Sequence, residues 1–250
     1  MQGAMTRHPT LWEPPDCLAA PSDGDIHVVK LSLADSQGDE LRAFLSHDER
    51  ERANNFRFDR DRDRYIAARA GLRQILGTCL NTDPRELVFE YGAQGKPALA
   101  GSEFSLRFNL SHSGEMAIYA LADGRDIGVD IERLDTRRDH DGIADRFFSA
   151  GESEALSMIP EKVRAHAFTQ LWVRKEAFLK ARGQGLFMSL DEVEISVGHE
   201  APRIIAVSGE SAGCASWFIA DIEADPNYAA AVVALGPEVA IRGYTWNVDL

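Results

Sequence analysis

Apolar positions recur at two periods along the chain, and the period switches several times. Residues 26–33 alternate closely enough to predict a first strand. Ser46-His47-Asp48-Glu49 reads as a capped helix start, with Ser46 at the N-cap and Glu49 at the third position. Over residues 62–80, Ile66, Ala70, Leu72, Ile75, Leu76 and Leu80 fall at helical spacing, and Asn81-Thr82-Asp83-Pro84 ends that helix. Residues 87–91 predict a strand before the glycine-rich turn Gly92-Ala93-Gln94-Gly95-Lys96-Pro97. Residues 108–113 lead into a strand at 116–121, Asp123-Gly124 marks a turn, and 127–131 form a further strand. The last two strands read as a central hairpin.

The second half predicts a helical stretch over 144–158, stopped by Pro160, and a helix over 162–182, closed by Gly183 and Gly185. Strands follow at 192–197, 203–208, 216–223 and 229–235. Each half thus carries helices plus antiparallel-looking strands, an α+β pattern. The expected organisation is a lead-in over 1–24 rich in Pro, Asp and small residues, an α+β half over 25–124, and a second over 125–250. No repeat between the halves is read from the sequence.

Composition changes this picture little. A hydrophobic content of 44% supports an ordinary buried core. No stretch nears the roughly 20 apolar residues of a membrane span, and the N-terminus lacks the apolar run of a secretory signal, so a cytoplasmic protein is expected. Three dispersed cysteines make neither a disulfide framework nor a CxxC metal clip. The net charge of -13 argues against nucleic acid as partner. Within that acidic chain, Arg50, Arg52, Arg57, Arg60, Arg62, Arg64, Arg69 and Arg73 crowd one region, interleaved with acids as on a solvated helix.

Three constellations carry candidate chemistry. In Ile127-Gly128-Val129-Asp130-Ile131-Glu132, strand periodicity sends Asp130 and Glu132 to one face. Paired carboxylates suit Mg²⁺, which takes one or two of them and fills its shell with waters and phosphates; two solvated acids at a strand end are the alternative. In Trp172-Val173-Arg174-Lys175-Glu176-Ala177-Phe178-Leu179-Lys180, Trp172, Glu176 and Lys180 share a helix face. Glu176 there is a third candidate metal ligand and Lys180 a phosphate ligand, or the two are a surface ion pair. Asn109-Leu110-Ser111-His112-Ser113 has no orienting third group for a nucleophilic triad, so phosphate ligation or a structural histidine remains.

In order along the chain, Gly95-Lys96-Pro97, Asn109-Leu110-Ser111-His112-Ser113, Gly128-Val129-Asp130-Ile131-Glu132, Arg146-Phe147-Phe148-Ser149, Trp172-x-x-Lys175-Glu176-Ala177-x-x-Lys180 and Gly183-x-Gly185 resemble the Sfp-like class of 4'-phosphopantetheinyl transferases. The resemblance spans roughly residues 50–190. It implies a monomeric pseudo-dimer of two similar α+β halves with coenzyme A in the cleft between them. It implies Asp130, Glu132 and Glu176 as ligands of Mg²⁺, with Mn²⁺ an admissible substitute. It implies coenzyme A contacts from Lys96, Pro97, Ser111, His112, Lys175 and Lys180, and from Arg52 and Arg64 near the 3'-phosphate. Glu152 falls at an acidic position of the motif without an assigned role. Glu49 stands where a basic residue is common, with Arg50 beside it as a possible substitute.

The activity so implied is transfer of phosphopantetheine from coenzyme A to a serine of an apo acyl or peptidyl carrier protein, releasing 3',5'-ADP. Catalysis is assigned to Glu176, as base directly or through a water, and to Lys180. No membrane partner is expected, and the arginines of residues 50–73 are candidates for docking an acidic carrier. Two other readings use the same parts: a metal-dependent nuclease or phosphodiesterase, and an inactive module that binds coenzyme A or the carrier.

Overall fold

The computed structural model describes residues 12–22, 24–34, 38–101, 105–183, 189–198, 201–208 and 216–248. Gly185, expected as a helix stop, lies outside them. In chain order the elements are β1 (Trp12–Glu13), β2 (Ile26–Ser32), α1 (Gly38–Leu41), α2 (His47–Asn54), α3 (Asp59–Leu80), β3 (Phe89–Tyr91), β4 (Pro97–Leu99), β5 (Leu106–Ser113), β6 (Met116–Asp123), β7 (Ile127–Arg133), α4 (His140–Phe147), α5 (Ala150–Ser157), α6 (Glu161–Arg182), β8 (Val193–Ile195), β9 (Ile204–Val207), β10 (Trp217–Asp221), β11 (Tyr228–Leu235) and β12 (Ile241–Trp246).

Strand alternation builds four layers from these elements. One sheet has the order β1-β12-β2-β6-β5 and a second β10-β11-β7. In β6, Ile118, Ala120 and Ala122 face Ile127, Val129, Ile131, Val232 and Ala234 of the second sheet, so the sheets pack face to face. The alternate residues Ala117, Tyr119 and Leu121 turn outward onto Ile66, Ala70 and Leu72 of α3. The outer face of the second sheet meets Leu171, Ala177 and Phe178 of α6 in the same way. The result is helix, sheet, sheet, helix.

The two halves repeat one plan. The order β2-β6-β5 is matched by β7-β11-β10, and the small sheet β3-β4 by β8-β9. Helices α3 and α6 are both 22 residues long, and α2 and α5 both 8. Each short helix opens on a capping box, Ser46 with Glu49 and Ser149 with Glu152. Each capping glutamate then reaches into its long helix. Glu49 pairs with Arg69 and, at 2.7 Å, with Arg73, while Glu152 pairs with Lys175 at 2.7 Å. Arg73 and Lys175 occupy the same position, 14 residues after the first residue of their helices. The expectation of no repeat is therefore corrected. Phe44-Leu45-Ser46-x-x-Glu49-x-Glu51 recurs as Phe147-Phe148-Ser149-x-x-Glu152-x-Glu154.

Three other expectations are revised. The strands at 116–121 and 127–131 do not form a hairpin: β6 pairs with β2 and β5, and β7 pairs with β11. Both strands carry an apolar face, and those faces bury against each other only if the Asp123-Gly124 turn passes the chain to the facing sheet. The helix expected over 144–158 is two helices. Ser149 is extended (φ −65°, ψ 154°), and its side chain accepts from the Glu152 N–H to start α5. Finally, β12 pairs in parallel with β2, and β1 with β12, so strands at 12–13 and 241–246 complete the first sheet across the boundary expected at 124/125.

Candidate active site

The two sheets meet along a seam where edge strand β5 runs beside edge strand β7. No backbone ladder joins them, and β5 side chains take its place. Strand periodicity aims Asn109, Ser111 and Ser113 across the gap. Asn109 Oδ1 accepts the Val129 N–H at 2.9 Å. Ser111 Oγ donates to Asp130 Oδ1 at 2.7 Å. Ser113 Oγ accepts the Arg133 N–H at 3.1 Å and donates to Glu132 Oε2 at 2.7 Å. Leu110 packs against the α3 side of the sheet, and His112 keeps one edge in solvent beside the seam while neighbouring groups crowd the rest of its ring.

Helix α6 lies directly on β7 because residue 128 is glycine. A Cβ there would stand 2.1 Å from the Ala177 carbonyl oxygen and 2.3 Å from the Ala181 nitrogen. This approach brings Glu176 and Lys180 over the strand carboxylates. Lys180 Nζ lies 2.6 Å from Asp130 Oδ1 and donates to Ser111 Oγ at 2.9 Å. Trp172, on the same helix face, packs against Phe148 and Phe168.

The carboxylates sense one another. Burial, then the Asp130 charge, pushes Glu176 above the usual carboxylate range, with Lys180 opposing and Glu132 adding to the rise. Burial also raises Glu132; the Ser113 hydrogen bond opposes this and Asp130 reinforces it. Loss of surrounding water, then Lys180, keeps His112 below the ordinary histidine range, with Asp130 and Arg52 also acting on it.

Does this cluster fit a divalent cation? Among the described residues, no three His, Cys, Asp or Glu side chains are gathered tightly enough to enclose an ion unaided. Mg²⁺ does not require that, since waters and substrate phosphates complete its octahedron. Two observations favour a cation here. Asp130 Oδ2 is buried without a hydrogen-bond partner. Repulsion among Asp130, Glu132 and Glu176 is only partly answered by Lys180. The residues present therefore fit a cation held by Asp130 and Glu132 with Glu176 beside them.

The expected coenzyme A contacts divide. Pro97 and Lys96 border a cleft of about 340 Å³ with Tyr91, Arg107, Asp126 and Gly183, at the Ile127 end of β7. The Lys96 ammonium, however, spends its donors on the carbonyls of Ile127 (2.9 Å), Lys180 (2.7 Å) and Ala181 (3.2 Å). It closes the C-terminus of α6 rather than pointing a free charge at a phosphate. Arg52 lies over the Tyr65 ring at 5.5 Å and close enough to act on His112, and Arg64 pairs with Glu115 at 3.1 Å.

Lys175 departs from expectation. It is wholly buried, donating to the carbonyls of Leu190 (2.8 Å) and Val193 and paired with Glu152. One helix position separates it from Glu176, a turn of about 100°, which sends the two side chains to different surroundings. The pair also gives Glu152 a role, since its carboxylate accepts the N–H groups of Ser149 and Ile195 as well. Arg50 does not substitute for a basic residue at 49 either. Its guanidinium is held by the carbonyls of Arg42 and Ala43.

Asn109, Ser113 and Gly128 were quoted in the motifs without a role of their own. Treating residues 108–113 as a strand in its own right would have placed Asn109 and Ser113 on the face of Ser111.

A family model described as the 4'-phosphopantetheinyl transferase superfamily matches residues 126–233, and one for the N-terminal region of 4'-phosphopantetheinyl transferase matches residues 35–123. The chain is 35% identical to 4'-phosphopantetheinyl transferase HetI of Nostoc sp. strain PCC 7120 over 97% of its own length and 98% of that protein. It is 31% identical to 4'-phosphopantetheinyl transferase ffp of Bacillus subtilis, over 82% of this chain and 89% of that one. With 4'-phosphopantetheinyl transferase Sfp of Bacillus subtilis strain 168 the identity is 29%, again over 82% and 89%.

Proposed function

The chain belongs to the 4'-phosphopantetheinyl transferase superfamily, and from that premise we propose that it moves the 4'-phosphopantetheine arm of coenzyme A onto a serine hydroxyl of an apo carrier protein. The carrier oxygen bonds to the phosphorus that carries pantetheine, the pyrophosphate bridge to that phosphorus breaks, and 3',5'-ADP leaves. The observation that carries this reading is the acidic cluster of Asp130, Glu132 and Glu176, with an unpartnered buried oxygen, beside Lys180 at the mouth of the seam.

A divalent cation bound there would supply positive charge to the pyrophosphate oxygens. The chain's own groups do the rest, and phosphoryl transfer asks mainly for positioning and charge stabilisation. Lys180 can exchange Asp130 for a phosphate oxygen without moving far, and His112 lies beside it. Glu176, raised by burial and by Asp130, is the group suited to take the serine proton. We assign the Pro97 cleft to the nucleotide end of coenzyme A, and Arg52 is close enough to His112 to add positive charge beside it. The enzyme acts as a cytoplasmic monomer on this reading, and carriers of fatty acid, polyketide or nonribosomal peptide assembly are its partners. Among the described residues no helix is long and apolar enough to cross a membrane.

The test is mass spectrometry of purified apo carrier proteins incubated with the enzyme, coenzyme A and Mg²⁺, with EDTA and Glu176→Gln controls. One added phosphopantetheine, lost in both controls, is expected. No addition to any carrier, by an enzyme that is folded, overturns the proposal.

A further inference from the structure

Glu132 is held differently from its neighbour Asp130, and the difference lies in Ser113. Asp130 shares its Oδ1 between Ser111 and the Lys180 ammonium. Glu132 is given one direct hydrogen bond among the described contacts, from Ser113 Oγ at 2.7 Å. The same Ser113 oxygen accepts the N–H of Arg133, the residue next to Glu132 in β7, at 3.1 Å. With that lone pair occupied from the β7 backbone, the hydroxyl proton is directed at the carboxylate. Ser113 therefore reads the backbone position of β7 and fixes the Glu132 side chain to it.

Neither partner can drift easily. Ser113 ends β5 at the tight turn into β6, paired with Met116, and Gly114 in that turn has φ +58° with the Tyr228 hydroxyl 2.8 Å from where a Cβ would lie. Glu132 sits opposite Ala229 of β11 in an unbroken antiparallel register. The hydrogen bond thus joins two rigid edges that belong to different halves of the molecule.

The repeat provides an independent comparison. Registers place Leu31 of β2 where Glu132 stands in β7, opposite Ala117 and Ala229 respectively. They also place Ala220 of β10 at the position of Asn109, opposite Val232 and Ala120. Ile222, whose N–H bonds the Ala230 carbonyl, stands at the position of Ser111. Val29 stands at the position of Asp130, opposite Tyr119 and Ala231 respectively, so the Ser111–Asp130 pair is replaced as a pair by Ile222 and Val29.

Resting on the reading that Asp130 and Glu132 hold a divalent cation, we propose that Ser113 is a positioning residue that fixes the Glu132 carboxylate for that cation across the seam. It touches neither coenzyme A nor the carrier serine. Removing such an outer partner of a ligating carboxylate weakens metal binding by about 10- to 100-fold.

The experiment titrates Mn²⁺ into the coenzyme A-free full chain and follows the ion by electron paramagnetic resonance, for wild type, Ser113→Ala and Ser113→Thr. The Mg²⁺ and coenzyme A dependence of transfer is measured alongside. Ser113→Ala is expected to bind Mn²⁺ at least about tenfold more weakly and to need correspondingly more Mg²⁺ for half-maximal rate. Its coenzyme A KM at saturating Mg²⁺ stays at the wild-type value. Ser113→Thr, which keeps the hydroxyl, restores Mn²⁺ affinity. Equal Mn²⁺ affinity in folded Ser113→Ala overturns the proposal, as does a threonine variant no better than alanine. A wild type that transfers phosphopantetheine without binding Mn²⁺ at the seam overturns this inference alone. One that neither binds nor transfers removes the proposed function with it.

Discussion

Replacing Lys175 by Met separates two accounts of one motif position, because they predict changes in different quantities. If Lys175 contacted coenzyme A, its loss would raise KM for coenzyme A and leave stability alone. In this structure its ammonium is wholly buried, with Glu152 at 2.7 Å and the carbonyls of Leu190 and Val193 as its other partners. Met fills a similar volume but supplies no charge, so the Glu152 carboxylate, equally buried, is left with two N–H donors and no counter-ion. Breaking one side of a buried pair costs about 3–5 kcal/mol. In a chain of this length that corresponds to a fall in Tm of roughly 6–20 °C. Burial pulls the Lys175 pKa down, and the Glu152 charge opposes that pull. The double variant Lys175→Met/Glu152→Gln removes the unpaired charge and should therefore recover part of the lost stability, although the single carbonyl oxygen of the amide can accept only one of the two N–H groups. Urea unfolding of the four proteins gives the coupling directly, and coenzyme A KM in the single variant should stay within about twofold of wild type. A rise in KM with no loss of stability, or no recovery in the double variant, would refute the structural assignment.

Gly128→Ala should be among the most damaging small substitutions. Its methyl would meet the α6 backbone at 2.1 Å, so the helix must lift, at about 3 kcal/mol or more in urea unfolding, and turnover of the remaining folded protein should fall as Glu176 and Lys180 lose their place. Arg57→Glu and Arg60→Glu, both on the exposed surface beside Phe56 and Phe58, should raise the carrier KM several-fold at low salt and leave coenzyme A KM unchanged; an unchanged carrier KM removes that patch from the docking face. His27 is buried, with Nδ1 3.1 Å from the Ala19 carbonyl, and burial lowers its pKa from the ordinary 6.5. The unfolded chain then takes up a proton before the folded one. The stabilisation is complete above about pH 6.5 and is lost as pH falls toward the folded pKa. Calorimetry from pH 7.5 to 5.5 should show wild type losing more stability than His27→Asn, and parallel losses would discount the effect.

Local signals were legible where they were complete within a few residues. The capping box at Ser46 and Glu49, the end of α3 at Asn81 and the stop of α6 at Gly183 all follow from backbone chemistry inside one turn. The carboxylates of β7 were legible too, because period 2 alone puts Asp130 and Glu132 on one face. What failed depended on distant partners. The strand at 127–131 carries no sign that its ladder lies with β11, about a hundred residues away, rather than with β6. The burial of Lys175 depends on Leu190 and Val193, and Lys96 on the far end of α6, none of which a motif contains. Ser149 was readable in principle, since its capping box has the spacing of the one at Ser46, but the apolar run around it hid the break.

The doubled plan also says how many substrates one chain serves. A frame of two equivalent halves offers two seams in principle, β5 beside β7 and its counterpart between β10 and β2. At the second, Val29 and Leu31 stand for Asp130 and Glu132, Gln74 stands for Glu176, and Ala220 and Ile222 stand for Asn109 and Ser111. Gln74 there accepts from the Trp246 indole of β12, the strand that has also taken the free edge of β2. The duplicated parts have diverged in chemistry: one seam carries carboxylates and hydroxyls, and the other is lined with hydrocarbon and covered by β12. Titration should accordingly find a stoichiometry of one coenzyme A per chain.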